Sequence, residues 1–149
     1  MIHIVPMRKK HIDGVAAVEK NCFEEGWSKN SFKDELENNK LALYYIAVDN
    51  ENNTIVGYGG MWHVVNEGHI TNIAVLEKYR RKNIATEIIK KLEEEAKKRC
   101  MIGMTLEVRR SNSAARNLYA KMGFKIEGIR KEYYKSDKED AIIMWKYFE

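Results

Sequence analysis

A chain of 149 residues is long enough to bury a core of its own without disulfides or a structural metal, and one domain over residues 1–149 is expected. With 44% hydrophobic and 32% charged residues, and no apolar run near the roughly 20 residues of a membrane span, the composition is that of a soluble globular protein and excludes a membrane-spanning one. The 26 basic and 22 acidic side chains leave a net charge of +4 and interleave too evenly to form a nucleic-acid track.

The first ten residues mix Pro6, Arg8, Lys9 and Lys10 with isolated apolar residues, so they lack the apolar stretch of a secretory signal, and the cytoplasm is the expected location. His3, Ile4 and Val5 alternate like a short edge strand. Residues 11–22 then place Ile12, Val15, Ala16, Val18 and Glu19 at helical spacing. Gly26 breaks this rhythm, and Ser28 stands as an N-cap before a second short helix containing Phe32 and Leu36. Aromatic and β-branched residues predict strands over 43–49 and 54–64, joined through Asn50, Glu51, Asn52 and Asn53, with another strand over 68–75. From Ile84 the apolar residues Ile88, Ile89, Leu92 and Ala96 recur at helical spacing with charges between them. A strand over 104–109, a helix over 113–122 ended by Gly123, and a hairpin over 125–134 and 141–148 complete the chain. The order βααβββαβαββ predicts a mixed α/β (α+β) fold. Cys22 and Cys100, without His or Cys partners at ligand spacing, are expected to be buried or half-buried fillers, and no metal is expected.

The one crowded basic stretch runs through Lys78, Arg80, Arg81 and Lys82 into the start of the helix at Ile84. Unpaired N–H groups and the positive end of a helix favour phosphate there, although basic loops before helices are also common on solvated surfaces. Arg80-Arg81-Lys82-Asn83-Ile84-Ala85 resembles the Arg/Gln-x-x-Gly-x-Gly/Ala loop of the GNAT acetyltransferase superfamily, with Asn83 in place of glycine. Asparagine is the non-glycine residue that best tolerates a left-handed backbone, so the loop can keep its shape. Glu24-Glu25-Gly26-Trp27-Ser28, residues 69–75, Leu106-Glu107-Val108-Arg109, residues 118–124 and residues 139–144 are similar to the RimI branch of that superfamily.

The resemblance implies the GNAT acyl-CoA N-acyltransferase fold, a mixed and mostly antiparallel sheet flanked by helices. It also implies transfer of acetyl from acetyl-CoA to a protein amino terminus, in RimI enzymes the terminal alanine of the eighteenth small-subunit ribosomal protein. Direct attack by the amine in a ternary complex needs neither cysteine. Arg80, Arg81, Lys82, Asn83, Ile84, Ala85 and Thr86 are implied to hold the coenzyme pyrophosphate, Ile73, Ala74 and Val75 its pantetheine arm, and Asn112 and Tyr119 further parts of it. Glu107 is implied as the proton acceptor, a role that burial would suit, and Tyr119 as the donor to the departing thiolate. Without the resemblance, Glu107 reads as an exposed strand glutamate paired with Arg109, Tyr119 as a packing residue and Asn112 as a helix cap. Phe23, Glu24, Glu25 and Trp27, with Tyr133 and Tyr134, are implied to receive the substrate terminus; Trp27 also reads as a hydrophobic staple. His69 is a rival base. A monomer or weak dimer, with no nucleic acid or membrane as partner, is expected. Lysine or small-amine acetylation on the same fold and a non-catalytic acyl-CoA-binding module are the alternatives.

Overall fold

Helical and alternating apolar rhythms become eleven main elements in the computed structural model, which describes residues 1–23 and 26–149. They are β1 (Ile2–Pro6), α1 (Ile12–Cys22), α2 (Lys29–Asn38), β2 (Ala42–Asp49), β3 (Thr54–Val64), β4 (Glu67–Val75), α3 (Ile84–Lys98), β5 (Gly103–Arg109), α4 (Ser113–Lys121), β6 (Lys125–Tyr134) and β7 (Glu139–Tyr147). Short 3-10 turns precede α1 and α3. His11 belongs to the first of these turns and not to the helix, which starts at Ile12. Ser28 caps α2 by accepting the N–H of Ser31, and Gly123 follows α4 with a left-handed φ of 99°.

The seven strands form one sheet in the order β1-β2-β3-β4-β5-β7-β6. All neighbours are antiparallel except β4 and β5. Helices α3 and α4 pack on one face. The apolar stripe of α3, from Ile84 through Ile88, Ile89 and Leu92 to Ala96, is buried there against β2 to β5. Each isoleucine or leucine of that stripe contributes about 1.5–3 kcal/mol when fully buried. Helices α1 and α2 cover the other face through Val15, Val18 and Phe32 against Tyr44, Ile46 and Tyr58. Among the described residues no helix is long and apolar enough to cross a membrane. Cys22 is half-buried as expected; Cys100 is exposed, because it sits in the turn after α3 rather than on the helix's apolar stripe.

The sheet opens in its middle. β4 and β5 pair only at Glu67–Gly103, Gly68–Met104 and His69–Thr105. Beyond these rungs β4 follows β3 to Val75 while β5 follows β7 to Arg109. The register between β3 and β4 jumps from Gly60–Asn72 to Met61–Ile70, leaving Thr71 as an extra residue. Such a bulge increases local twist and bends the strand, and it lies where β4 leaves β5.

Candidate active site

At the far end of the gap the chain turns from β4 into α3. Asn83 has φ 63° and Arg81 φ 63°, so two left-handed residues curl the loop ahead of the helix. The left-handed geometry expected of Asn83 is present. Its side chain makes no capping bond, and among the described residues no carbonyl receives the N–H groups of Ile84, Ala85 or Thr86. Three free donors at the positive end of a four-turn helix, beside Arg81 and Lys82, fit a pyrophosphate. Arg80 Nε donates to the Val75 carbonyl at 3.0 Å, and its guanidinium lies 3.8 Å from Cys22 Sγ. That contact staples the loop back onto the end of β4 and occupies the Val75 carbonyl. Lys82 Nζ sits 5.3 Å from the centre of the Tyr79 ring, whose hydroxyl donates to Asp49.

Glu107 lies on β5 beyond its last rung with β4, and Tyr119 on the following helix α4. Alternation turns Met104, Leu106 and Val108 into the core and leaves Glu107 on the opposite face. Glu107 is exposed, with Oε2 3.7 Å from Arg130 Nε, as the reading of an exposed strand glutamate has it. The expected pairing with Arg109 is absent, because the acidic β6–β7 turn captures that arginine. Tyr119 is buried against Phe124 with ring centres 5.8 Å apart. Burial pushes its phenol up to about 12, so it keeps its proton throughout the neutral range. Tyr134 is the common neighbour, since it adds to the rise at Tyr119 while its own phenol is raised by burial, lowered by Arg109 and raised by Glu107. Asn112 caps α4 by accepting the N–H of Ala115 at 3.1 Å.

Among the residues expected to receive a substrate terminus, Phe23 follows α1 and is exposed, while Glu24 and Glu25 lie outside the described residues. Trp27 packs on Phe32 with ring centres 5.5 Å apart, bridging the positions that flank the first turn of α2 as a hydrophobic staple does. Tyr133 and Tyr134 stand edge to face, 5.1 Å apart, on β6. Arg109, expected beside Glu107, instead holds their hairpin. Its Nη1 donates to Asp137 and Glu139, and its guanidinium lies 4.0 Å above the Tyr134 ring. Glu139 also accepts the Ser111 N–H, and the bonds from Ser111 hold its carboxyl below the usual range. The signal was present as Arg109-Arg110 facing a turn rich in Asp137, Glu139 and Asp140. His69 donates to or accepts from Glu67 at 2.9 Å and meets Trp145 edge-on, a structural setting on the last paired rung. Among the described residues no group of three or more His, Cys, Asp or Glu side chains is placed to hold a metal.

The sheet is thus split between β4 and β5, with an anion-ready helix start at the end of the split. The chain belongs to the acetyltransferase (GNAT) family, whose model matches residues 12–124. It is 38% identical over 139 residues, 93% of this chain and 91% of the other, to a candidate ribosomal protein bS18-alanine N-acetyltransferase of Bacillus subtilis (strain 168). The crystal structure of the ribosomal-protein-S18-alanine N-acetyltransferase of Escherichia coli superposes with a TM-score of 0.88 at 29% identity, covering 99% of this chain and 94% of that one. A chain of the NatC complex solved with Gag peptide and CoA matches with a TM-score of 0.86 at 25% identity over 99% of both chains.

Proposed function

We propose that this protein transfers the acetyl group of acetyl-CoA to the α-amino terminus of a protein, with the terminal alanine of ribosomal protein bS18 as substrate. The observation that carries the reading is the gap after His69, with free N–H groups of α3 at one end and Glu107 on the strand that borders it. The amino-terminal specificity is supported by the named activities of the relatives. The protein acts as one domain in the cytoplasm, as a monomer or weak dimer.

Acetyl-CoA supplies an activated acetyl thioester. The α3 N–H groups with Arg81 and Lys82 hold its pyrophosphate, and the β4 edge around Ile73 and Ala74 lines the pantetheine path. An α-amino group titrates near about 7.7–8.0, so much of it is neutral at working pH and a weak, water-exposed base suffices. Glu107 takes the proton the amine sheds, directly or through water. Tyr119 holds a proton at its phenol oxygen for the departing sulfur.

Mass spectrometry after incubation with acetyl-CoA and a peptide bearing the bS18 amino terminus, beside one with a blocked terminus and internal lysines, tests the reading. Acetylation of the free terminus alone is expected; acetylation of lysine instead overturns the substrate.

The loop gives a separate prediction. Asn83→Ala places a less tolerant residue at φ 63° and is expected to weaken acetyl-CoA binding by about tenfold, at a cost of about 1–2 kcal/mol. Asn83→Gly should bind at least as tightly as wild type; isothermal titration calorimetry on both variants checks the sign.

A further inference from the structure

Glu19 lies on the apolar stripe of α1 with Ile12, Val15, Ala16 and Val18, yet it is a carboxylate and only 2% exposed. A buried carboxylate persists only where donors replace its lost water. Here they come from three other parts of the chain. The Tyr58 hydroxyl on β3 donates to Oε1 at 2.5 Å. Asn72 Nδ2 on β4 reaches Oε1 at 3.2 Å and Oε2 at 3.5 Å, and also donates to the Tyr58 oxygen at 2.8 Å. The backbone N–H of Trp27 donates to Oε2 at 2.9 Å. None of these donors is charged, so the carboxylate acts as a hub of hydrogen bonds and not as half of an ion pair.

The two ends of this hub matter. Asn72 sits at the bulge where β4 departs from β5, one residue before Ile73. Trp27 belongs to the turn before α2 on the substrate side. Gly26 shows how closely that turn lies on Glu19, because a Cβ there would come within 2.5 Å of Glu19 Cγ and 3.1 Å of Oε2. Only a side chain with two acceptor oxygens satisfies both ends. A glutamine offers one oxygen, and its NH2 group would oppose either the Trp27 N–H or the Tyr58 and Asn72 donors.

We propose that Glu19 is a positioning residue that ties the turn at residues 26–28 to strand β4, so that coenzyme seated along β4 and the peptide terminus received beside Trp27 stabilise one another. This rests on the functional reading above for the identity of the two surfaces. The coupling needs no large motion, since one carboxylate touches both elements.

Amide hydrogen exchange at Trp27, followed by NMR with and without saturating coenzyme A, tests the tie without a peptide. In wild type, coenzyme A is expected to slow exchange at Trp27 by about tenfold, within the usual range of coupling between sites. In Glu19→Gln the Trp27 amide should exchange faster and cease to respond, while coenzyme A binds within about twofold of wild type. Gly26→Ala leaves the carboxylate intact and lifts the turn from it at an exposed position, so it should lose the same response even if Glu19→Gln fails to fold. A Trp27 amide that answers to coenzyme A in both variants as in wild type, or does not answer in wild type, overturns the proposal. In a parallel transfer assay Gly26→Ala should raise the peptide KM by about tenfold with little change in kcat, the mark of lost positioning. Absence of transfer by the wild-type enzyme to any peptide terminus overturns the functional reading and leaves the exchange result to decide the tie.

Discussion

Tyr119→Phe is expected to lower kcat by about 10²–10⁴, the span of a lost general acid, while the dissociation constant for acetyl-CoA stays within about twofold. The ring's contact with Phe124 survives the change, so the fold and the coenzyme path should be kept. Only the phenol proton is removed, and burial holds that proton in place up to about pH 12. Single-turnover transfer and calorimetric titration with acetyl-CoA check the two halves separately. Parallel losses in rate and binding would instead make Tyr119 a packing residue and leave the acid role without a holder.

Glu107→Gln is the second large effect, with kcat/KM expected to fall by about 10²-fold through loss of the proton acceptor. Glu107 is exposed and beside Arg130, so its folded-state contribution is small and the variant should melt close to wild type. The rise of kcat/KM with pH should follow the peptide's own amine near about 7.7–8.0, because the base is already water-exposed. A pH–rate series on peptides with terminal amines of different basicity reads this directly: a limb that moves with the peptide supports it, and a limb that stays fixed assigns the ionisation to the enzyme.

Alkaline stability follows from the buried phenols. Tyr119 is raised to about 12 by burial, and Tyr44 and Tyr58 are raised further, by burial first and by Glu35 and Glu19 respectively. A folded pKa above the unfolded value of about 10 means the unfolded chain releases these protons first. Their contribution is complete below about pH 10 and is lost as pH rises toward 12 and beyond, so denaturant midpoints should fall steeply across that interval. Tyr119→Phe should flatten the fall.

Much of this was legible in the chain. The stripe of α3, the Ser28 cap, the Asn83 turn and the alternation around Glu107 depend on residues a few positions apart, where period and side-chain type decide the outcome. Even the unusual place of Glu19 showed, as an acid on an otherwise apolar helical face. Its partners did not, because Asn72 and Tyr58 stand 53 and 39 residues away and meet it only when β3 and β4 pair in one register. Arg109 likewise left Glu107 for a turn 28 and 30 residues on, since the β5–β7 pairing brings Asp137 and Glu139 to it.

The sequence by itself determined the order of the elements, the basic turn into α3 and the residue types able to move protons. Tertiary structure alone decided where β4 leaves β5, that Glu107 faces water, that Arg80 folds back onto Val75, and that one buried carboxylate joins the two sides of the cleft. The physical reason is range: propensity, caps and periodicity act within a few residues, whereas strand divergence and hydrogen-bond hubs depend on registers set by the whole sheet.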